Sequence, residues 1–172
     1  DGDDVIDLTT TEYSRQLVCK RVDLGSGDDI LMGEFSSAYG GDGDDLIIAS
    51  RDYSSVSGGP GRDIFAFMSP RGQRRDGVFL SIRDFVTGVD SIKLYIDSTN
   101  IEEAQEGGGH DLLASENIQK LENGDLSWTY YKLTDTWGGV TTLYEFKQTI
   151  NMEGAIWSPD DIQLLPFVST PY

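Results

Sequence analysis

The chain contains one cysteine, one histidine and 13 basic residues among 172. Cys19 has no partner within the chain, so no intrachain disulfide forms, and it reads as a small buried apolar residue. A secreted protein without disulfides needs another staple, and bound metal is the usual one. His110, alone in Glu106-Gly107-Gly108-Gly109-His110, supplies neither a zinc-protease motif nor a histidine-based triad. It reads as an exposed loop residue, and no nucleophile, base and oxyanion site assemble, so no catalytic activity is expected. Long apolar runs are missing too: none approaches the roughly 18 residues of a membrane span. No signal peptide stands at the start. The chain opens inside a motif, Asp1-Gly2-Asp3-Asp4, as a piece of a longer protein does. With 30 acidic residues against 13 basic, the formal charge is −17. Nucleic acid and anionic membranes require a basic surface and are excluded as expected partners. Hydrophobic residues, at 38%, are few for a compact globule. The acidic charge is either a solvated surface or a framework that cations complete, and the placement of the aspartates decides between them.

Glycine is plentiful, at 20 residues, and clusters with aspartate. Four segments share one pattern: Asp1-Gly2-Asp3-Asp4-Val5-Ile6, Gly25-Ser26-Gly27-Asp28-Asp29-Ile30-Leu31, Gly40-Gly41-Asp42-Gly43-Asp44-Asp45-Leu46-Ile47 and Gly58-Gly59-Pro60-Gly61-Arg62-Asp63-Ile64-Phe65. Each fits Gly-Gly-x-Gly-x-Asp-x-U-x, where U is a large apolar residue. This nonapeptide resembles the calcium-binding RTX repeat of hemolysin-type proteins. The glycines let a tight loop aim its carbonyls inward, and the sixth-position aspartate adds a hard oxygen. Ca²⁺ takes six to eight oxygens, more than one loop supplies, so stacked loops share an ion. The x-U-x triplet is a short strand with U pointing into the coil.

A full coil of two loops and two strands takes 18 residues. Asp45 and Asp63 are 18 apart, Asp29 and Asp45 are 16 apart, and Asp4 and Asp29 are 25 apart, with an insertion over Thr9 to Arg21. Asp4, Asp29, Asp45 and Asp63 therefore fall along one edge. Gly25, Gly27, Gly41, Gly43, Gly59 and Gly61 corner the loops around them. On the opposite edge, Ser54 stands where a repeat would place its aspartate, although Val56 still fills the U position. About three Ca²⁺ ions are expected on the first edge, and few or none on the other. The competing reading is a set of Gly-Asp turns with solvated side chains. Asp3, Asp28 and Asp44, at position five, are expected to face solvent.

The stretch from Val78 to Leu94 is similar to the end of the serralysin-type C-terminal domain, Ile-x-Asp-Phe-x-x-Gly-x-Asp-x-Ile-x-Leu. The match falls on Ile82, Asp84, Phe85, Gly88, Asp90, Ile92 and Leu94. Alternation over 78–82 and 90–94 indicates two strands around a turn. The resemblance implies that Asp84 or Asp90 ligates one further ion. That they only fix turn geometry stands as the alternative. Leu24 departs from the pattern at the first glycine of the second repeat.

The fold class expected is all-β: a parallel β-roll, or RTX solenoid, over residues 1–96, followed by a β-rich C-terminal cap lobe over 97–172. Within that lobe, Asp111 to Leu121 suggests a short helix. Leu126–Tyr130 and Thr142–Phe146 suggest a hairpin turning over Thr134 to Gly139. Gly154 to Ile162 faintly resembles a segment that follows RTX arrays in other secreted proteins. The apolar tail Ile162–Val168 suits either an uncleaved signal for the type I secretion machinery or a last strand on the hairpin. The function expected is calcium-dependent folding and type I secretion of a larger extracellular protein. The alternative is a polysaccharide-binding module, as in the similar modules of alginate epimerases. That reading draws on Arg71-Gly72-Gln73-Arg74-Arg75 and on Trp128, Tyr130, Tyr131, Trp137 and Tyr144, which otherwise serve as a solvated loop and as core.

Overall fold

The structure is a computed structural model, and it describes residues 1–9, 21–49, 54–68, 77–106, 109–137 and 140–167. Among these the chain forms two facing sheets, with the first nine strands alternating between them. The first runs in the order β1 (Val5–Leu8), β3 (Ile30–Gly33), β5 (Leu46–Ala49), β7 (Ile64–Met68), β9 (Ser91–Asp97) and β13 (Ile162–Phe167), every pair parallel. The second contains β2 (Val22–Ser26), β4 (Ser37–Asp42), β6 (Ser54–Ser57) and β8 (Gly77–Ile82), again in parallel. It continues through β12 (Val140–Asn151), β11 (Leu126–Trp137) and β10 (Ile118–Lys120). This is the all-β parallel roll that the repeats specify.

The register explains the core. Leu31, Ile47 and Phe65, the U residues of repeats two to four, stand opposite one another on neighbouring strands, and Ile92 and Ile162 extend the row. On the second sheet Val22, Ala38, Val56 and Ile82 form the matching row. Both rows belong to one buried cluster. Strand alternation sends one side chain in two to that interior. Each fully buried aliphatic contributes about 1.5–3 kcal/mol. The first coil is thinner: Val5 lies on the surface and Ile6 is only half-buried.

The second half corrects three expectations. The helix is α1 (Ser98–Glu106), not Asp111–Leu121. The latter stretch holds a single 3-10 turn at Ser115–Asn117 and then β10, captured by antiparallel pairing with β11. The hairpin forms, but its strands are longer, with Trp137 paired to Val140, so Thr134 to Trp137 belong to β11 rather than to the turn. The tail does not lie on the hairpin: β13 pairs with β9 in the first sheet. On the other side β12 pairs in parallel with β8, so both sheets of the roll run on into the C-terminal residues. Cys19, most of the Thr9–Arg21 insertion and the Arg71–Arg75 run lie outside the described residues. No helix among the described residues is long and apolar enough to cross a membrane.

Candidate metal centre

The loops that enter the first sheet from the second all lie along one edge of the roll. They carry the glycines and the sixth-position aspartates. Gly25, Gly27, Gly41, Gly43, Gly59 and Gly61 all take positive φ, from 105° to 152°. At Gly61 the requirement is double. Its φ is 152°, and an added Cβ would sit 2.6 Å from the Gly43 carbonyl carbon of the rung below, and closer still to its oxygen. The loops stack that tightly because backbone bonds join them, Gly27 N–H to Asp42 O at 2.9 Å and Gly43 N–H to Pro60 O at 2.9 Å.

The aspartates form a ladder. Asp4 N–H donates to Asp29 Oδ1 at 2.7 Å, Asp29 N–H to Asp45 Oδ1 at 3.0 Å, and Asp45 N–H to Asp63 Oδ1 at 3.0 Å. Asp63 N–H donates to Asp90 Oδ1 at 3.0 Å, so the closing turn supplies a fifth rung. One carboxylate oxygen each of Asp29, Asp45, Asp63 and Asp90 is thus spent on the neighbouring rung. The other is buried without a hydrogen-bond partner at Asp29, Asp45 and Asp63. Gly40 and Gly58 make room for it: a Cβ at either would lie 2.8 Å from the Cγ of Asp45 or the Cβ of Asp63, respectively, and nearer to the Oδ2.

Three buried, unpartnered carboxylate oxygens in a column are costly unless something positive meets them. Burial pushes the Asp63 carboxyl up to about 7, helped by the neighbouring charges of Asp90, Asp45 and Asp84 and opposed by the bond from Asp45 N–H. Burial raises Asp45 and Asp90 as well. A cavity of about 320 Å³ on this edge is lined by Asp44, Asp45, Arg62, Asp63 and Ser91, among others. Among the described residues, no cluster of three or more His, Cys, Asp or Glu could hold a metal through side chains alone. A cation here must therefore draw on loop carbonyls as well as carboxylates. That donor set, all oxygen and built from stacked turns, suits Ca²⁺ rather than a softer metal.

Asp84 and Asp90 are placed differently. Asp84 accepts from Gly58 N–H and Gly59 N–H, each at 3.0 Å, and from the Ser57 hydroxyl, so both its oxygens are engaged in holding the fourth repeat's loop. Asp90 gives its second oxygen to Val86 N–H at 2.7 Å. The position-five residues face solvent yet form an outer ladder of their own. Asp28 N–H donates to Asp3, Asp44 N–H to Asp28, and Arg62 N–H to Asp44. Arg62 also grips Asp44 through its guanidinium at 2.7 Å; the Arg62 N–H bond first, and this grip second, hold that carboxyl below its usual range. On the opposite edge Ser54 is buried and its hydroxyl donates to Phe35 O at 2.6 Å, a neutral link where a repeat would put an aspartate.

Ladder, glycine corners and alternating sheets together make a parallel β-roll of the RTX type. Residues 24–106 match the family described as the peptidase M10 serralysin C-terminal domain. That segment is thus similar to the family whose motif ends at Leu94, and the similarity runs on through α1. None of the curated proteins compared matches the chain. Among solved structures, the chain is similar to the solution structure of the AlgE6R3 subunit of the mannuronan C5-epimerase from Azotobacter vinelandii. Identity is 25%, 94% of this chain and 78% of that one are covered, and the TM-score is 0.37.

Proposed function

We propose that this chain is the calcium-dependent folding module of a larger secreted protein exported by type I secretion. The observation that carries the reading is the column of buried carboxylate oxygens on Asp29, Asp45 and Asp63 that lack any partner. Asp4, Asp29, Asp45 and Asp63, with the loops cornered by Gly25, Gly27, Gly41, Gly43, Gly59 and Gly61, would hold the ions. Bound Ca²⁺ would supply the positive charge that the unpartnered oxygens of Asp29, Asp45 and Asp63 lack. The chain's own part is to stack the loops, turn one oxygen each of Asp29, Asp45 and Asp63 inward and bury the U residues behind them. Where calcium is scarce, as in the cytosol, carboxylate repulsion within a chain of charge −17 holds the module unfolded. Extracellular calcium modules bind at about 10⁻⁴–10⁻³ M, so filling follows export and its free energy becomes folding free energy. The module contributes no catalytic chemistry; any reaction belongs to other parts of the parent protein. Calcium titration followed by circular dichroism tests the reading: a β-rich spectrum must appear with calcium, and a complete one in excess EGTA refutes it.

A second reading, attachment to an acidic polysaccharide, finds support in one small feature of the second sheet's outer face. The Arg21 guanidinium lies 4.6 Å from the Tyr39 ring centroid, and Arg83 donates to the Tyr39 hydroxyl at 2.9 Å. Asp23 and Glu153 pair with these arginines at 3.6 Å, which weakens their pull on an anion. Retention on alginate that vanishes in the double variant Arg21→Ala/Arg83→Ala would favour it over the folding module alone.

A further inference from the structure

The turn that joins β8 to β9 is gripped from two sides. Asp90, the last carboxylate of the ladder, accepts from Val86 N–H at 2.7 Å and from Asp63 N–H at 3.0 Å. From the other side Asp161 accepts from the Thr87 hydroxyl at 2.6 Å and from Gly88 N–H at 3.0 Å. Three consecutive residues, 86 to 88, are thus held by two carboxylates that lie far apart in sequence.

Asp161 is itself fixed. It closes a capping box on the 3-10 turn Pro159–Asp161, with Ser158 N–H donating to its Oδ2 at 2.8 Å. The next residue, Ile162, begins β13, which runs beside β9 from Ile92 to Asp97. Burial alone would push the Asp161 carboxyl up, but its hydrogen bonds from Thr87, Ser158 and Gly88 outweigh it and hold the group below its usual range. Asp161 is therefore an anion stabilised by the very turn it holds. Thr87 and Gly88 are exposed, so little other packing fixes this part of the turn.

We propose that Asp161 is a positioning residue for the last rung of the calcium ladder. Through Thr87 and Gly88 it sets the turn that presents Asp90 to Asp63, so docking of the segment 158–167 is coupled to ion filling at Asp63, the last carboxylate of the ladder with an unpartnered oxygen. The proposal rests on the calcium reading above. Linkage makes the coupling reciprocal: an ion at the last rung secures the C-terminal strand, and the docked strand raises affinity at the last rung. The far rungs, at Asp4 and Asp29, touch none of these groups and stand outside the coupling.

The test uses the whole chain as wild type, Asp161→Asn and Thr87→Val. Calcium isotherms are measured by calorimetry, and amide hydrogen exchange is followed over residues 86–90 and 162–167. In the wild type, calcium slows exchange in both segments. In each variant the weakest-filling portion of the isotherm moves to roughly fivefold to tenfold higher calcium, the remainder is unchanged, and both segments exchange faster together. Thr87→Val removes one hydroxyl at an exposed position, so it keeps the test decisive if Asp161→Asn fails to fold. Isotherms of folded variants that superimpose on the wild type overturn the proposal, as does wild-type exchange over 162–167 that ignores calcium. A wild type that takes up no calcium overturns the calcium reading itself, an outcome separate from the other two.

Discussion

Gly61→Ala is the substitution for which the stacked loops make the sharpest demand. The new Cβ would lie 2.6 Å from the Gly43 carbonyl carbon, against an optimal carbon separation of about 3.5–4.0 Å. Relief requires the two rungs to part by roughly an ångström. The Gly43 N–H bond to Pro60 O, now 2.9 Å, would stretch with them. Overpacking of this kind costs about 1–3 kcal/mol. The positive φ adds about 1–2 kcal/mol. Reduced freedom of the unfolded chain returns about 0.4–1 kcal/mol, leaving a net loss of roughly 2–4 kcal/mol. Gly88→Ala is the matched control: its φ is 74°, but nothing lies within 4 Å of the added Cβ. Its net loss is about 1 kcal/mol or less. Urea denaturation in millimolar calcium measures both. Equal losses for the two variants would refute the claim that rung-to-rung contact, rather than backbone conformation alone, selects glycine at the loop corners.

Other outcomes follow from the same geometry. Ile47→Ala, in the row between Leu31 and Phe65, should cost about 2–5 kcal/mol in the calcium-loaded state, read from its denaturation midpoint. Asp84→Asn should destabilise the fourth loop while leaving the number of bound ions unchanged, because both oxygens of Asp84 already serve Ser57, Gly58 and Gly59; a lower ion count by calorimetry would make it a ligand instead. The Asp63 carboxyl titrates at about 7 in the cation-free fold and near 3.9 when unfolded. The folded state therefore binds the proton more tightly, and the cation-free fold loses stability as pH rises from about 4 to about 7. Calcium competes with that proton, so the calcium midpoint should rise as pH falls below 7, by at most about 30-fold at pH 5.5 for this one group. A midpoint that is flat between pH 5.5 and 8 would contradict the buried position of Asp63.

Much of the roll was readable from residue spacing because its contacts repeat at a fixed step. Leu31, Ile47 and Phe65 were identifiable as interior residues from the motif alone, and the structure stacks them in register. The four aspartates likewise fall on one edge, joined rung to rung. Asp90 joins the same ladder at a step of 27 residues, which is not a whole number of 18-residue coils. Beyond β9 the readable period ends. Asp111 to Leu121 reads as a short helix, but pairing of Ile118 with Trp128 turns part of that stretch into a strand. The real helix, Ser98–Glu106, buries little more than Asn100 and Ala104, too weak a stripe to announce itself. The parallel pairing of Ile162 with Ile92 and the bond from Thr87 to Asp161 are long-range choices that only the folded roll makes visible.

The buried column of aspartate oxygens is tested most directly by counting ions. Equilibrium dialysis against radioactive calcium should show uptake by the wild type and loss of most of it in Asp45→Asn/Asp63→Asn, with circular dichroism reporting a collapse of β-structure at the same calcium concentration. Undiminished uptake in the double variant, or a wild type that is fully folded and empty at millimolar calcium, would contradict the account.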